Sequence, residues 1–213
     1  MPKLSNDTQA LRRAHILDAA ELCFARAGFH RTTMQDICKQ ARVSAGAVYV
    51  YFDSKEALID GIVGRDRDDI EEQILGIVDA PDFFNGLEQA LRCCVIEQPA
   101  HKPALFLEIG SEATRNPRIA AILSHCDTTL RKTLAELLRR ARAANRIPAG
   151  HDETTIAYIL ALLADGLFFR RAIDPEFDAS RITPAIMDMV TKLIGEDAKS
   201  LDAKMAIAEV RMV

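Results

Sequence analysis

The chain has 213 residues, of which 49% are hydrophobic and only 6% are aromatic, and it contains no tryptophan. This length allows one or two domains with a buried core. The formal net charge of −4, taken for the whole chain, argues against a nucleic-acid-binding protein, but the distribution of charge matters more. The longest apolar run, residues 156–164, is too short to span a bilayer. Alanine, leucine, isoleucine and arginine are frequent and strand-type alternation is rare, which predicts an all-α fold.

Charge is distributed unevenly along the chain. Residues 1–55 hold eight basic and five acidic side chains, whereas the remainder holds 19 and 26. A basic N-terminal segment (the head, residues 1–55) followed by an acidic remainder (the body) is typical of a protein that binds phosphates at one end only. Residues 1–10 are polar, unlike a signal peptide, and the five cysteines show no Cys-x-x-Cys spacing. We therefore expect a cytoplasmic protein with reduced thiols, outside the membrane, without a metal site or cofactor.

Three helices are predicted in the first 52 residues. An amphipathic helix covers residues 11–27. Thr32 and Gln35 have the spacing of a capping box, which predicts the start of a second helix. After a tight turn, Ser44 is suited to cap a third helix that begins at Ala45.

The third helix has an unusual outward face. Val48 and Phe52 are spaced to point inward, which leaves small residues and phenols outside. A short helix with such a face can lie flush in the major groove of DNA, as a helix-turn-helix requires. The outward residues are Ala45, Gly46, Ala47, Tyr49, Val50 and Tyr51.

The same segment carries a family resemblance. Residues 27–29 (AGF), 32–37 (TTMQDI) and 44–55 (SAGAVYVYFDSK) stand in a gapless stretch from about Ala14 to Leu58. This stretch resembles the DNA-binding domain of TetR-type transcriptional regulators. Arg42 occupies a turn position where that family often has glycine, so we expect a left-handed residue there, at a cost of about 1–2 kcal/mol.

The resemblance implies a homodimer bound to a palindromic operator in double-stranded DNA. Two copies of the helix at residues 44–52 would enter successive major grooves, roughly 34–36 Å apart. Residues 44–47 would approach base edges, where Ala45 replaces the family's common long side chain but can touch a thymine methyl. For Tyr49 and Tyr51 the alternative is packing on the bridging helix. The candidate DNA-binding residues are Thr32, Thr33, Arg42, Ser44, Ala45, Gly46, Ala47, Tyr49, Tyr51 and Lys55.

Proline, glycine and polar breaks divide the rest of the chain into further helices. A bridging helix follows Ser54, and breaks are predicted at residues 79–82, at Pro99 and Pro103, and at residues 145–150. The predicted helices are 55–78, 83–97, 104–116, 117–145, 153–173 and 181–194. The predicted domains are a helix-turn-helix DNA-binding domain (1–55), an effector-binding and dimerisation domain (56–196) and a helix-prone tail (197–213).

The body carries a second resemblance. Residues 107–117 (LEIGSEATRNP) and 165–167 (DGL) are similar to the C-terminal domains of BetI- and AcrR-type members. The resemblance implies a body that binds a small molecule and dimerises through its last two main helices. Residues 154–171 and 182–194 are also apolar around more of each helix than one core-facing stripe needs. A second copy of the chain is the expected cover.

The effector is expected in a cavity among the middle helices of the body. By resemblance, an apolar pocket with few polar groups would suit a lipophilic or cationic, drug-like effector that releases the protein from DNA. Glu108 and Glu112, four residues apart, are either polar handles for it or a solvated acidic face. Further candidate handles are His125 and Arg170. The candidate ligand-binding residues are Phe84, Leu87, Leu91, Phe106, Ile109, Leu130, Leu134, Leu162, Asp165, Phe168 and Phe169.

Three other functions are alternatives to a ligand-responsive regulator. An enzyme needs a catalytic constellation, and none is apparent. A thiol or redox sensor could use Cys93, Cys94 and Cys126, although buried cysteine is an ordinary core residue. A helical adaptor with a vestigial DNA-reading surface would explain Ala45 and the low net charge.

Overall fold

The computed structural model describes residues 6–195, except for the side chains of residues 6, 7 and 79. In this range the chain is all-α, as predicted, with one π-helical segment and no strand. The predicted tail at 197–213 lies outside the described residues. The helices are α1 (Asn6–Ala27), α2 (Met34–Ala41), α3 (Ala45–Tyr49), α4 (Lys55–Asp79), α5 (Phe83–Leu91), the π-helical segment (Arg92–Ile96), α6 (His101–Ala113), α7 (Pro117–Ala143), α8 (Glu153–Ile173) and α9 (Ala179–Gly195).

The start of α2 corrects one prediction. Thr33, not Thr32, is the N-cap, and its partner is Asp36 rather than Gln35. The Asp36 N–H donates to Thr33 Oγ1 at 3.2 Å, and the Thr33 N–H donates to Asp36 Oδ2 at 3.0 Å. In a capping box, the side chain that accepts from the N-cap N–H is usually glutamate or glutamine, and here aspartate makes that hydrogen bond. The box is therefore present, one residue later than predicted.

Thr32 has a different task. Its hydroxyl donates to the carbonyl of Gly28 at 2.7 Å and to that of Cys23 at 3.1 Å. Cys23 lies in the last turns of α1, and Gly28 directly follows its last residue. The side chain is consequently buried against α1, which leaves the next threonine to cap α2.

Other helix ends follow local chemistry. Ser44 caps α3, with its Oγ accepting from the Ala47 N–H at 3.3 Å, as predicted. Asp152 caps α8 through the Thr155 N–H at 2.8 Å. The predicted break at Pro103 is wrong, because α6 begins at His101 and a proline fits in the first turn of a helix.

The described chain divides into two compact units. The head unit comprises the described residues through Asp68 together with Gln98–Cys126, and the body unit comprises Asp69–Glu97 and the described residues from Asp127 onward. Both α4 and α7 run from one unit into the other. The units are therefore not contiguous in sequence, whereas the predicted domains divide the chain at residue 55. That functional boundary stays a prediction.

The core of the head unit joins α1 to α2, α3, α6 and the first part of α4. Fully buried side chains include Phe24, Ile37, Val48 and Leu58. Gly61 of α4 is required by this packing, because a Cβ there would lie 2.8 Å from Leu17 Cδ2. The third helix is thus held from behind by an apolar core, with Val48 as its anchor.

A buried carboxylate also links three helices of the head unit. Glu21 of α1 is 3% exposed and accepts from Lys102 Nζ of α6 at 2.8 Å. Arg65 of α4 pairs with the same carboxylate, and Lys102 also donates to Asp66 Oδ1 at 2.6 Å. Burial raises the pKa of Asp66, and the nearby Lys102 opposes that rise. Removing a cation would leave a buried charge uncompensated, which is strongly destabilising.

The body unit has its own core on the second half of α4, α5, α7, α8 and α9. Ile77, Leu138, Ile156 and Ile194 are almost completely buried there. Arg146 donates to the carbonyls of residues 77, 78 and 80, and so satisfies the C-terminal carbonyls of α4. Within the described range, no helix is both long and apolar enough to cross a membrane.

Candidate nucleic-acid interface

The turn before α3 is built around a left-handed arginine. Arg42 has φ 54° and ψ 41°, which confirms the conformation expected at this non-glycine position. The Arg42 N–H donates to the Lys39 carbonyl at 3.2 Å, and the Val43 N–H donates to the Cys38 carbonyl at 3.1 Å. These bonds close α2 and turn the chain into α3. The Arg42 side chain is exposed beside the α3 surface.

The predicted outward face of the third helix is exposed in part. Val48 is 0% exposed and Phe52 is 3% exposed, so both point into the core. Ser44, Ala45 and Gly46 are exposed on the opposite side, and Ala47 is half-buried. The helix therefore presents its backbone to solvent with little side chain in between.

Gly46 is not required by the packing of the described protein. A Cβ added at this position would have no protein atom within 4 Å. Glycine inside a helix costs about 0.5–1 kcal/mol relative to alanine. The sequence therefore carries a local cost here that its own fold does not explain.

The two tyrosines differ in their surroundings. Tyr49 is 53% exposed, next to Val50 at 77%. Tyr51 is half-buried and packs against the core of the head unit. Packing on the bridging helix is the alternative to a phosphate contact for both residues, and Tyr51 packs against a core that includes side chains of that helix, α4.

Lys55 opens α4 and contacts the turn between α1 and α2. Its Nζ donates to the Phe29 carbonyl and lies 4.2 Å from the centroid of the Phe29 ring. An ammonium group has three donors, so this contact does not prevent a second one to phosphate.

Thr32 and Thr33 separate into a structural and a surface residue. Thr32 is 2% exposed and its hydroxyl is used inside the head unit, which argues against the predicted contact of its side chain with DNA. Thr33 is exposed, and its hydroxyl donates to Asp36 Oδ2 at 2.6 Å. The hydrogen bonds from the Thr33 side chain and backbone lower the pKa of Asp36. The carboxylate is thereby kept ionised at the start of α2.

Glu108 and Glu112 of α6 do not form a solvated acidic face. Glu108 Oε1 accepts from the Phe29 N–H at 2.5 Å. Glu112 is 4% exposed, and its Oε2 lies 2.8 Å from His30 Nε2 without the alignment of a hydrogen bond. Both carboxylates contact the turn between α1 and α2. Sequence spacing could not show this, because the partners are far away along the chain.

The predicted ligand-binding residues do not lie in one unit. Phe106 and Ile109 belong to α6 of the head unit, where Ile109 is part of the core. The others belong to the body unit, in which Leu87 is buried while Leu162 and Phe169 are exposed. Partial desolvation by neighbouring atoms raises the pKa of Asp165, and the charge of Asp127 makes a smaller contribution, although Asp165 itself is exposed. The lining set stays a prediction.

A cavity of about 340 Å³ opens between α4 and α7 in the body unit. Its wall contains both apolar and charged side chains from the two helices. None of the predicted ligand-binding residues lines it. The lining residues are Glu71, Ile74, Leu75, Val78, Lys132, Thr133, Glu136, Leu137 and Arg140.

The cysteines give no support to a redox sensor. Cys93 and Cys94 lie in the π-helical segment of the body unit. Burial, with a contribution from Cys93, raises the pKa of Cys94 to about 12. The reactive form of cysteine is the thiolate, so this thiol is poorly reactive at neutral pH. Cys126 belongs to the head unit.

Comparisons with known proteins agree with this architecture. Residues 16–62 match the profile of bacterial regulatory proteins of the tetR family, and residues 89–195 match the C-terminal profile of BetI-type transcriptional repressors. The HTH-type transcriptional regulator UidR of Escherichia coli K12 is 32% identical over 155 residues, which cover 73% of this chain and 79% of UidR.

Solved structures show the same fold. Salmonella enterica GusR is 30% identical and superposes with a TM-score of 0.73 over 86% of this chain and 95% of GusR. SmeT, solved as a complex with triclosan, has a TM-score of 0.74 at 22% identity, over 88% of this chain and 93% of SmeT, and supports the fold alone. The left-handed turn, the bare face of α3 and these matches together establish that the chain belongs to the TetR family of transcriptional regulators.

Proposed function

We propose that this protein is a repressor that binds a palindromic operator as a homodimer and is released by a small-molecule effector. The observation that carries the proposal is the face of α3 at Gly46. Ser44, Ala45 and Gly46 are exposed there and carry little side chain, so another molecule can approach the helix backbone closely. Base edges in the major groove need such an approach.

The proposed base contacts are made by the N-terminal part of α3. Ser44 can hydrogen-bond to base edges, and Ala45 can touch a thymine methyl group. Gly46 and Ala47 let the backbone come close. Ser44, Ala45 and Gly46 are exposed and Ala47 is half-buried, which supports their assignment.

The proposed phosphate contacts surround this helix. Thr33, Arg42 and Tyr49 are exposed, and Lys55 has ammonium donors beyond the one on Phe29. The N-terminus of α4 adds backbone N–H groups and the positive end of its dipole. Tyr51 contributes less, because it packs on the core. Phosphate contacts position the protein, and base contacts provide specificity.

The proposed dimer surface is formed by α8 and α9. Tyr158, Leu162, Phe169 and Ile173 follow one face of α8, and each is between 47% and 57% exposed. On α9, Ile182 and Met189 are exposed to 39% and 46%. An apolar surface of this kind on a soluble chain marks an interaction site. A twofold axis would let each copy cover the same surface of the other.

The effector is proposed to bind in the body and to favour the state that does not fit DNA. Triclosan, in the SmeT complex, is an example of a small lipophilic molecule bound by a protein of the same fold. The coupling between effector and DNA would be about 1–3 kcal/mol, as is typical of allosteric proteins. The predicted lining residues and the cavity between α4 and α7 are the two locations to be distinguished.

One experiment tests the central part of the proposal. Duplexes are selected from a random-sequence library by the wild-type protein, and the enriched sequences are inspected. We expect an inverted repeat whose half-sites are about one helical turn apart, bound by two chains. Failure to enrich any duplex above non-specific binding would contradict the DNA-reading role. Thermal-shift screening of small molecules, followed by release of the selected duplex, tests the effector.

A further inference from the structure

The turn between α1 and α2 is held by α6. Residues Gly28, Phe29 and His30 lie in this turn, and the carboxylates of α6 lie close to all three. Glu108 reaches the first two residues, and Glu112 reaches the third. The two glutamates stand four residues apart, so they share one face of the helix.

Phe29 is held at both of its backbone groups. Its N–H donates to Glu108 Oε1 at 2.5 Å, while its carbonyl accepts from Lys55 Nζ. The side chain is 4% exposed and stacks on Phe24, with ring centroids 5.7 Å apart. A hydrogen bond to an ionised acceptor is shorter and stronger than a neutral one. The peptide therefore has little freedom to move relative to α4 and α6.

Gly28 shows how close the approach is. Its φ is +81°, a conformation that favours glycine, and a Cβ there would lie 2.9 Å from Glu108 Oε1. The carboxylate thus lies directly against the turn. A side chain at residue 28 would displace it.

The turn at residues 28–30 also determines where α2 begins. The Gly28 carbonyl accepts from the Thr32 N–H at 3.2 Å and from the Thr32 hydroxyl at 2.7 Å. Thr33, the next residue, caps α2, and α2 leads through Arg42 into α3. Glu108 is therefore connected to α3, the helix proposed to contact DNA, through the turn, the Thr32 hydrogen bonds and α2.

We propose that Glu108 is a positioning residue for DNA recognition: by holding the Gly28–Phe29 peptide, it sets the position of α2 and α3 relative to α6. The inference rests on the proposed DNA-binding function. Glu108 lies in the C-terminal region that matches BetI-type repressors, yet its contact is with the helix-turn-helix. It makes no phosphate or base contact in this role.

The test compares Glu108→Ala with Glu108→Gln on the duplex selected by the wild-type protein. We expect Glu108→Ala to bind about tenfold more weakly, which corresponds to the loss of a charge-assisted hydrogen bond. Glu108→Gln keeps an acceptor oxygen and should recover most of the affinity. The slope of log K against log salt should stay at the wild-type value, because no phosphate contact is lost.

Two further measurements separate positioning from a general loss of stability. Binding is measured well below the thermal midpoint of each variant, where all the protein is folded. Amide hydrogen exchange should accelerate at Phe29 and in α2 of Glu108→Ala, but not in Glu108→Gln. Glu88→Ala, which removes a half-buried helical glutamate from α5 of the body unit, is the matched control and should bind as the wild type does.

Equal binding by Glu108→Ala and the wild type would overturn the inference while leaving the proposed function intact. A reduced salt slope in Glu108→Ala would also overturn it, because the residue would then act on phosphate contacts. If the wild-type protein selects no duplex, the proposed function itself fails. The three outcomes are therefore distinguishable.

Discussion

Gly46 is a residue at which folding and DNA recognition have opposite requirements. We expect Gly46→Ala to raise the free energy of unfolding by about 0.5–1 kcal/mol, because alanine is the better helix former and its Cβ meets no neighbour. The same Cβ should hold α3 away from base edges and weaken binding to the selected duplex by about tenfold or more. Urea unfolding and fluorescence anisotropy measure the two effects.

Gly64 provides the control for this prediction. It lies in α4, and a Cβ there would also have no protein atom within 4 Å. Gly64→Ala should therefore give a similar gain in stability with no change in DNA affinity. If Gly46→Ala also binds as tightly as the wild type, α3 does not read the groove through this face.

Arg42 combines a strained backbone with an exposed charge. Arg42→Gly removes a left-handed penalty of about 1–2 kcal/mol but adds the entropy cost of glycine, so we expect a net gain of about 0.5–1 kcal/mol in the free energy of unfolding. If Arg42 contacts phosphate, the slope of log K against log salt should fall by about one unit. An unchanged slope would remove Arg42 from the phosphate contacts.

Asn145, which also has a positive φ (53°), is the matched control for the backbone effect. Asparagine tolerates the left-handed region better than arginine does. Asn145→Gly should therefore change stability less than Arg42→Gly, and it should leave the salt slope unchanged.

At the scale of the element, the N-terminus of α2 makes stability depend on pH. The pKa of Asp36 is lowered in the folded protein by its hydrogen bonds with Thr33. Its stabilising contribution is consequently present above the ordinary aspartate pKa of about 3.9 and is lost as the pH falls through the lower folded value. The stability difference between the wild type and Asp36→Asn, measured by urea unfolding, should shrink as the pH falls below about 4.

Thr33→Ala tests the cause of this pH dependence. Without the hydroxyl donor, the pKa of Asp36 should lie closer to its ordinary value. The substitution Asp36→Asn should then change the acid dependence of stability less than it does in the wild type. An undiminished effect would assign the lowered pKa to another source.

Helix α6 shows why an element's role is harder to predict than its existence. The sequence indicates a helix near residues 104–116, and a helix is found there. The sequence predicts that its glutamates are either ligand handles or a solvated face, because spacing along one helix says nothing about distant partners. Glu108 and Glu112 instead contact the turn between α1 and α2.

At the scale of the whole molecule, dimerisation should depend on the apolar stripe of α8. Leu162 is 57% exposed in the middle of that stripe. Leu162→Glu would bring an unpaired charge into the proposed interface, which costs several kcal/mol if it is desolvated. We expect a monomer by sedimentation velocity and loss of binding to the two-half-site duplex.

Leu75 is the control for the dimer prediction. It is 56% exposed, but it lies on α4, away from α8 and α9 in the sequence. Leu75→Glu should therefore remain dimeric. If Leu162→Glu is also dimeric, the dimer surface lies elsewhere on the protein.

The sequence by itself determined the features that depend on neighbours within one or two helical turns. The cap at Ser44 and the inward anchors Val48 and Phe52 follow from local backbone chemistry and from the 3.6-residue period. The left-handed Arg42 follows from the resemblance to TetR-type domains, which often have glycine at that position. The family motif identifies these features together as a DNA-binding segment, because its residues lie close to one another in the sequence.

Only the tertiary structure decided the roles that depend on distant partners. Thr32 and Thr33 are equivalent candidates for a cap until α1 takes the hydroxyl of the first. Glu108 contacts the turn between α1 and α2 because folding brings α6 against Phe29, which is 79 residues away in the chain. Hydrogen bonds and burial are set by proximity in space, and a sequence pattern encodes that proximity only for residues on the same element.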